Sequence, residues 1–129
     1  MVATGDVYEG QWKEGKRHGK GRDTFADGGI YEGEWEAGLK HGHGKTVNFD
    51  GSSYEGEYQR GLRHGKGKYT FANGYVQIIR FEADRPVGQG VRWSADRAQA
   101  WEMQDGQQGR SISLEEAAQI AARIGLPVP

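Results

Sequence analysis

The chain has 129 residues, 35% of them hydrophobic, and a net charge of −1; this is the length of one domain, and the even balance of charge excludes bulk attraction to nucleic acid. The absence of cysteine excludes disulfide scaffolds, cysteine-based zinc sites and thiol catalysis. No apolar run approaches the ~18 residues of a transmembrane helix, and the amino terminus has no signal-peptide-like apolar stretch, so a cytoplasmic setting, at most peripheral to a membrane or the cytoskeleton, is expected.

The 22 glycines and a mean hydropathy of −0.85 would indicate disorder if the glycines were scattered, but they recur at fixed offsets. Tyr8, Tyr31 and Tyr54 open copies of a unit 23 residues long, each followed by a glycine (Gly10, Gly33, Gly56) and an aromatic (Trp12, Trp35, Tyr58). The step continues through Gly15, Gly38 and Gly61, then His18, His41 and His64, then the pairs Gly19/Gly21, Gly42/Gly44 and Gly65/Gly67. Self-similarity of this kind predicts an all-β repeat solenoid of stacked antiparallel hairpins.

Residues 1–6 are read as a short frayed leader, and the repeat array as residues 7–97. In the first copy Tyr8, Gly10 and Trp12 alternate with Glu9, Gln11 and Lys13, the pattern of a strand with aromatics on one face and charge on the other. Glu14 to Gly19 is polar and glycine-rich and is expected to be the connection, with Gly15 at positive φ. A returning strand, about Gly19 to Phe25, should end in a two-residue hairpin turn at Asp27-Gly28, repeated at Asp50-Gly51 and Asn73-Gly74. Gly19 and Gly21 are expected to make room together for the rings on the facing strand. Lys20, Lys45 and Lys66 should form cross-strand pairs with Glu9, Glu34 or Glu57. Phe49 is out of step with Phe25 and Phe71, which predicts a bulge or face switch in the second copy.

A degraded fourth copy is expected from about Gln77, keeping Phe81, Gly88 and Gly90. Residues 98–129 should hold one more irregular hairpin and a helix at about 114–124. Ser113 and Glu116 form a capping box, Leu114, Ala117, Ala118, Ala121 and Ile124 make the apolar stripe, and Gly125 and Pro127 stop it. The helix is expected to fold back over the last hairpin and close that end of the stack. No equivalent cover exists at the other end. The open strand edge there belongs to a longer array, or is covered by residues 1–6, or by a second chain in a homo-oligomer.

The pattern Tyr-Glu-Gly-x-Trp/Tyr-x-x-Gly-x-x-His-Gly-x-Gly, carried by Tyr8 to Gly21, Tyr31 to Gly44 and Tyr54 to Gly67, resembles the MORN (membrane occupation and recognition nexus) repeat. The resemblance implies a twisted solenoid with an aromatic-lined groove, and a scaffold or protein-interaction module in a membrane-associated or cytoskeletal assembly. On it, Tyr8, Trp12, Tyr31, Trp35, Tyr54 and Tyr58 are either a partner-binding groove or simply the core. Lys16, Arg17, Lys40, Arg60 and Arg63 are candidate contacts to lipid headgroups, which gives the alternative of a phosphoinositide or acidic-lipid adaptor. An accessory part of a larger enzyme is a third reading.

No catalytic residue and no cofactor are assigned. The histidines of successive copies would be about 10 Å apart, too far to share an ion with ligands at roughly 2 Å; only His41 and His43 share a face. The Gly-x-Gly pairs lack a following third glycine or Gly-Lys-Ser/Thr. The glutamates recur as equivalent solvent-facing positions, not as the unlike pair that acid-base chemistry needs.

Overall fold

The computed structural model describes residues 5–129. Ten strands run in chain order: β1 (Val7–Lys13), β2 (Lys16–Thr24), β3 (Ile30–Glu36), β4 (Leu39–Val47), β5 (Ser53–Gln59), β6 (Leu62–Thr70), β7 (Val76–Glu82), β8 (Arg85–Trp93), β9 (Ala100–Gln104) and β10 (Gln107–Ile112). They form one open sheet in sequential order, every neighbouring pair antiparallel, followed by the helix α1 (Leu114–Ile124). The stacked-hairpin solenoid and the helix therefore stand as the periodicity predicted. Residues 1–4 of the expected leader lie outside the described residues, and Asp6 is tied down, its Oδ1 accepting from the Ala26 N–H at 3.2 Å.

Two turn types alternate, in the opposite places from those expected. Within each hairpin the turn is the two-residue one. Glu14 and Gly15 have φ of 54° and 76°, and Ala37-Gly38, Arg60-Gly61, Ala83-Asp84 and Asp105-Gly106 repeat the double positive φ of a type I′ turn. The connection is thus shorter than Glu14 to Gly19, and Lys16, Arg17 and His18 belong to β2. Between hairpins, at Asp27-Gly28, the loop has three residues. Phe25 N–H bonds to Gly29 O, Gly28 takes φ 96°, and Asp27 Oδ1 accepts the Gly29 N–H at 2.9 Å. This is a type I turn closed by a left-handed glycine, and Asp50, Asn73 and Asp96 cap their turns the same way.

No bulge or face switch occurs at Phe49. The backbone bonds Asn48 N–H to Ser52 O and Gly51 N–H to Asn48 O match those at Phe25 and Phe71. Asn48 takes the phenylalanine position, while Phe49 stands where the other loops have alanine and is 75% exposed. The regular bulge lies elsewhere: pairing jumps from Gly10↔Gly21 to Trp12↔Arg17, and likewise in the next two hairpins.

Each face of the sheet buries a different core. On one, Tyr31, Trp35, Tyr54, Tyr58, Ile79, Phe81 and Met103 pack together, joined by half-buried Tyr8, Phe25 and Tyr69. On the other, Ile78, Val91, Trp93 and Ala100 receive Ala117, Ile120, Ala121 and Ile124 of α1. Ser113 Oγ accepts the Glu116 N–H at 3.0 Å, and Gly125 ends the helix at φ 98°. The helix thus covers the face of β7–β9 opposite the aromatic row. It does not close the end of the stack, where β10 is an edge strand, as β1 is at the other end.

Candidate functional site

The aromatic face is built from one repeated unit. In each copy the opening tyrosine lies flat across two facing glycines and donates its hydroxyl to the carbonyl three residues on. Tyr8 donates to Gln11 O (2.7 Å), Tyr31 to Glu34 O (2.9 Å) and Tyr54 to Glu57 O (3.2 Å). A Cβ on Gly21, Gly44 or Gly67 would fall on the ring or hydroxyl of Tyr8, Tyr31 or Tyr54, so only glycine fits beneath.

Gly19, Gly42 and Gly65 have a different task from the one expected. They sit at φ of 69°, 67° and 73° in the bulge, and the N–H after each bonds to a side chain of the facing strand. Gln11 Oε1 accepts from Lys20 N–H, Glu34 Oε2 from His43 N–H and Glu57 Oε1 from Lys66 N–H, at 2.7–3.0 Å. Glu34 and Glu57 therefore plug the bulge instead of pairing with lysine. Lys20 does face Glu34, and Lys45 faces both Glu32 and Glu55, but Lys66 faces Arg80.

The rings link edge to face in one run, Trp12–Tyr8–Trp35–Tyr31–Tyr58–Tyr54–Phe81, with centroids 4.8–5.5 Å apart and planes 80–90° apart. Of the six groove candidates, Tyr31, Trp35, Tyr54 and Tyr58 are at most 7% exposed; they are core and offer no contact surface. Trp35 Nε1 donates to Gly21 O and Tyr58 shares a hydrogen bond with Thr46 Oγ1. Burial pushes the Tyr31 and Tyr54 phenols well above their usual value and raises that of Tyr58. Tyr8 is half-buried, and Trp12 is 56% exposed.

Three of the five expected headgroup contacts are also inside this row. Arg17, Lys40 and Arg63, again one period apart, face Trp12, Trp35 and Tyr58 across their hairpins. Arg17 lies 4.6 Å from the Tyr8 ring centre and bonds to buried Asp23 at 2.8 Å. Lys40 lies 4.9 Å from Tyr31, and burial lowers its ammonium from the usual lysine value. Arg63 lies 4.3 Å from Phe81 and bonds to Asp84 at 2.6 Å. These are cation–π struts of the lattice; Lys16 and Arg60 remain exposed. The 23-residue recurrence of a cation is in the sequence, but it does not say that the bulge turns that side chain toward the rings.

His41 Nε2 lies 3.1 Å from Glu36 Oε2 and the ring is exposed, as is that of His64. Among the described residues no group of three or more histidine, aspartate or glutamate side chains is placed to hold a metal ion, and no helix is long and apolar enough to cross a membrane. The other face of β1–β5 is a polar trough of about 630 Å³ whose walls alternate in charge, Glu9, Arg22, Glu32, Lys45 and Glu55 standing opposite one another in succession.

No individual curated protein matches the chain. The family model for the MORN repeat matches residues 8–30, 31–53, 54–74 and 80–99, four copies, the last beginning slightly after the Gln77 expected for it. Repeats of this family are generally associated with membrane- and protein-interaction modules and are not a known catalytic fold. With most of its length so matched, this chain belongs to the MORN repeat family.

Proposed function

We propose that this protein is a non-catalytic scaffold that holds protein partners at the margins of its sheet, in a membrane-associated or cytoskeletal assembly. The observation that carries this is the state of the aromatic row. Its rings and cations satisfy one another from Tyr31 to Phe81, and only at Trp12 does the row present an indole with one aromatic neighbour instead of two. Exposed aromatics with an unsatisfied face are what interface anchors are made of. Capture of partners by the folded protein should be lost with Trp12→Ala and kept with Phe49→Ala, which removes a still more exposed ring far from that end. Unchanged capture by Trp12→Ala would defeat the proposal.

The reading as an acidic-lipid adaptor is less well supported, because Arg17, Lys40 and Arg63 are occupied within the sheet. Co-sedimentation with anionic vesicles that disappears in salt would restore it.

A further inference from the structure

We infer that the partner at the Trp12 end is a second copy of this chain, joined β1 to β1 in antiparallel fashion about a two-fold axis through Gly10. The inference rests on the interaction-module reading and gives it one occupant. Among the described residues β1 has a neighbour on one side only, so its outer N–H and C=O groups form an unpaired row. The outer edge of β10 is guarded differently. There the extra residue lies in the edge strand itself, Gln108 to Ser111 standing against Met103 to Trp101, whereas in the first hairpin the extra residues lie in β2 and leave β1 regular; a bulged edge strand resists further pairing.

The register is set by the lattice. At the regular junctions between copies, glycine pairs with glycine, Gly21 with Gly33 and Gly44 with Gly56, and no residue is skipped. Trp35, two residues beyond Gly33, leans back over that junction to donate to Gly21 O and to meet the Tyr8 ring of the preceding copy. Trp12 stands two residues beyond Gly10 in the same way but has no preceding strand. Pairing Gly10 with its symmetry mate supplies one. Trp12 then faces Tyr8 of the second copy, Gln11 faces Glu9, and Lys13 faces Val7, which is 55% exposed in the single chain. No like charges stand directly opposite each other within Val7–Lys13; Glu9 is diagonal to its own mate and to Lys13 of the other copy, so a cation stands at the same range as the second carboxylate. A two-fold contact of this type closes, so the product is a dimer and not a fibre.

Light scattering across a wide range of concentration is the test. The expected result is a species of twice the 14.3 kDa chain mass that Trp12→Lys returns to monomer with its circular dichroism intact, while Leu62→Lys, at an exposed hairpin end, leaves it dimeric. A second measurement fixes the register. With Lys13→Cys as the chain's single thiol, nitroxides in the dimer should lie about 20 Å apart, six residues of strand at roughly 3.4 Å each. A monomer at every concentration, a dimer indifferent to Trp12→Lys, or a label separation far from that value would overturn the inference. A monomer whose partner capture still depends on Trp12 would overturn the self-pairing alone and leave the scaffold reading standing.

Discussion

At the level of single residues the repeat separates two uses of glycine that composition cannot tell apart. Gly44 lies under Tyr31 and has an ordinary backbone conformation, whereas Gly15 has φ 76° and nothing within 4 Å of the position a Cβ would take. Gly44→Ala must displace a fully buried ring and should cost about 2–3 kcal/mol, as overpacking does. Gly15→Ala pays only for the left-handed conformation, about 1 kcal/mol. Urea midpoints of the two variants would show the difference. The aromatic positions divide just as sharply. Trp35→Ala removes a 6%-exposed indole and its hydrogen bond, at roughly 3–5 kcal/mol, while Trp12→Ala, at a dilution where the chain is monomeric, should lie within about 1 kcal/mol of the parent. Equal losses in the same denaturation series would mean that Trp12 is packed as deeply as its equivalents.

At the level of the hairpin, the 23-residue period made strand number, pairing and the helix legible, since recurrence and the Ser113 to Glu116 box are both local signals. The turns were not. Asp-Gly suits a two-residue type I′ turn, yet the same dipeptide serves a three-residue turn whose glycine is left-handed; Glu14, Ala37 and Arg60 carry no mark of the positive φ they adopt. The direction of the basic side chains was hidden for a related reason. The bulge around Gly19, Gly42 and Gly65 changes which face each preceding residue meets, and that depends on pairing across strands. Arg17 is turned inward by this bulge, and its guanidinium shares a buried bond with Asp23, whose side chain is 4% exposed. Arg17→Met should therefore cost about 3 kcal/mol or more by stranding a carboxylate. Asp23→Asn added to it should return part of that loss, and a double variant no more stable than the single one would show that the pair is not coupled.

Across the whole molecule the two cores lie on opposite faces of one sheet and share β7 and β9, so stability spreads along the stack by contact between neighbours. The aromatic core gives this a pH signature. Burial raises the Tyr31, Tyr54 and Tyr58 phenols above the ordinary value of about 10, so their contribution is complete below that pH and is lost above it, as the unfolded chain ionises and the folded one resists. Lys40 has the opposite sign. Burial lowers its folded value, so the folded state regains stability as pH climbs toward the ordinary lysine value, but one amine opposes four phenols, since burial raises Tyr8 as well. The array should thus unfold steeply on the alkaline side, with phenolate absorbance from these tyrosines appearing in the same transition as loss of sheet ellipticity. Tyr54→Phe keeps the ring and gives up the hydroxyl bond to Glu57 O, which costs about 1 kcal/mol at neutral pH. It also removes one of these protons, so above pH 10 its stability should fall less steeply than the parent's by about 1.4 kcal/mol per pH unit. If Tyr54→Phe abolishes a phenolate that the parent forms near pH 10 in a sheet still folded, that ring is open to water, and the row would then be a surface after all.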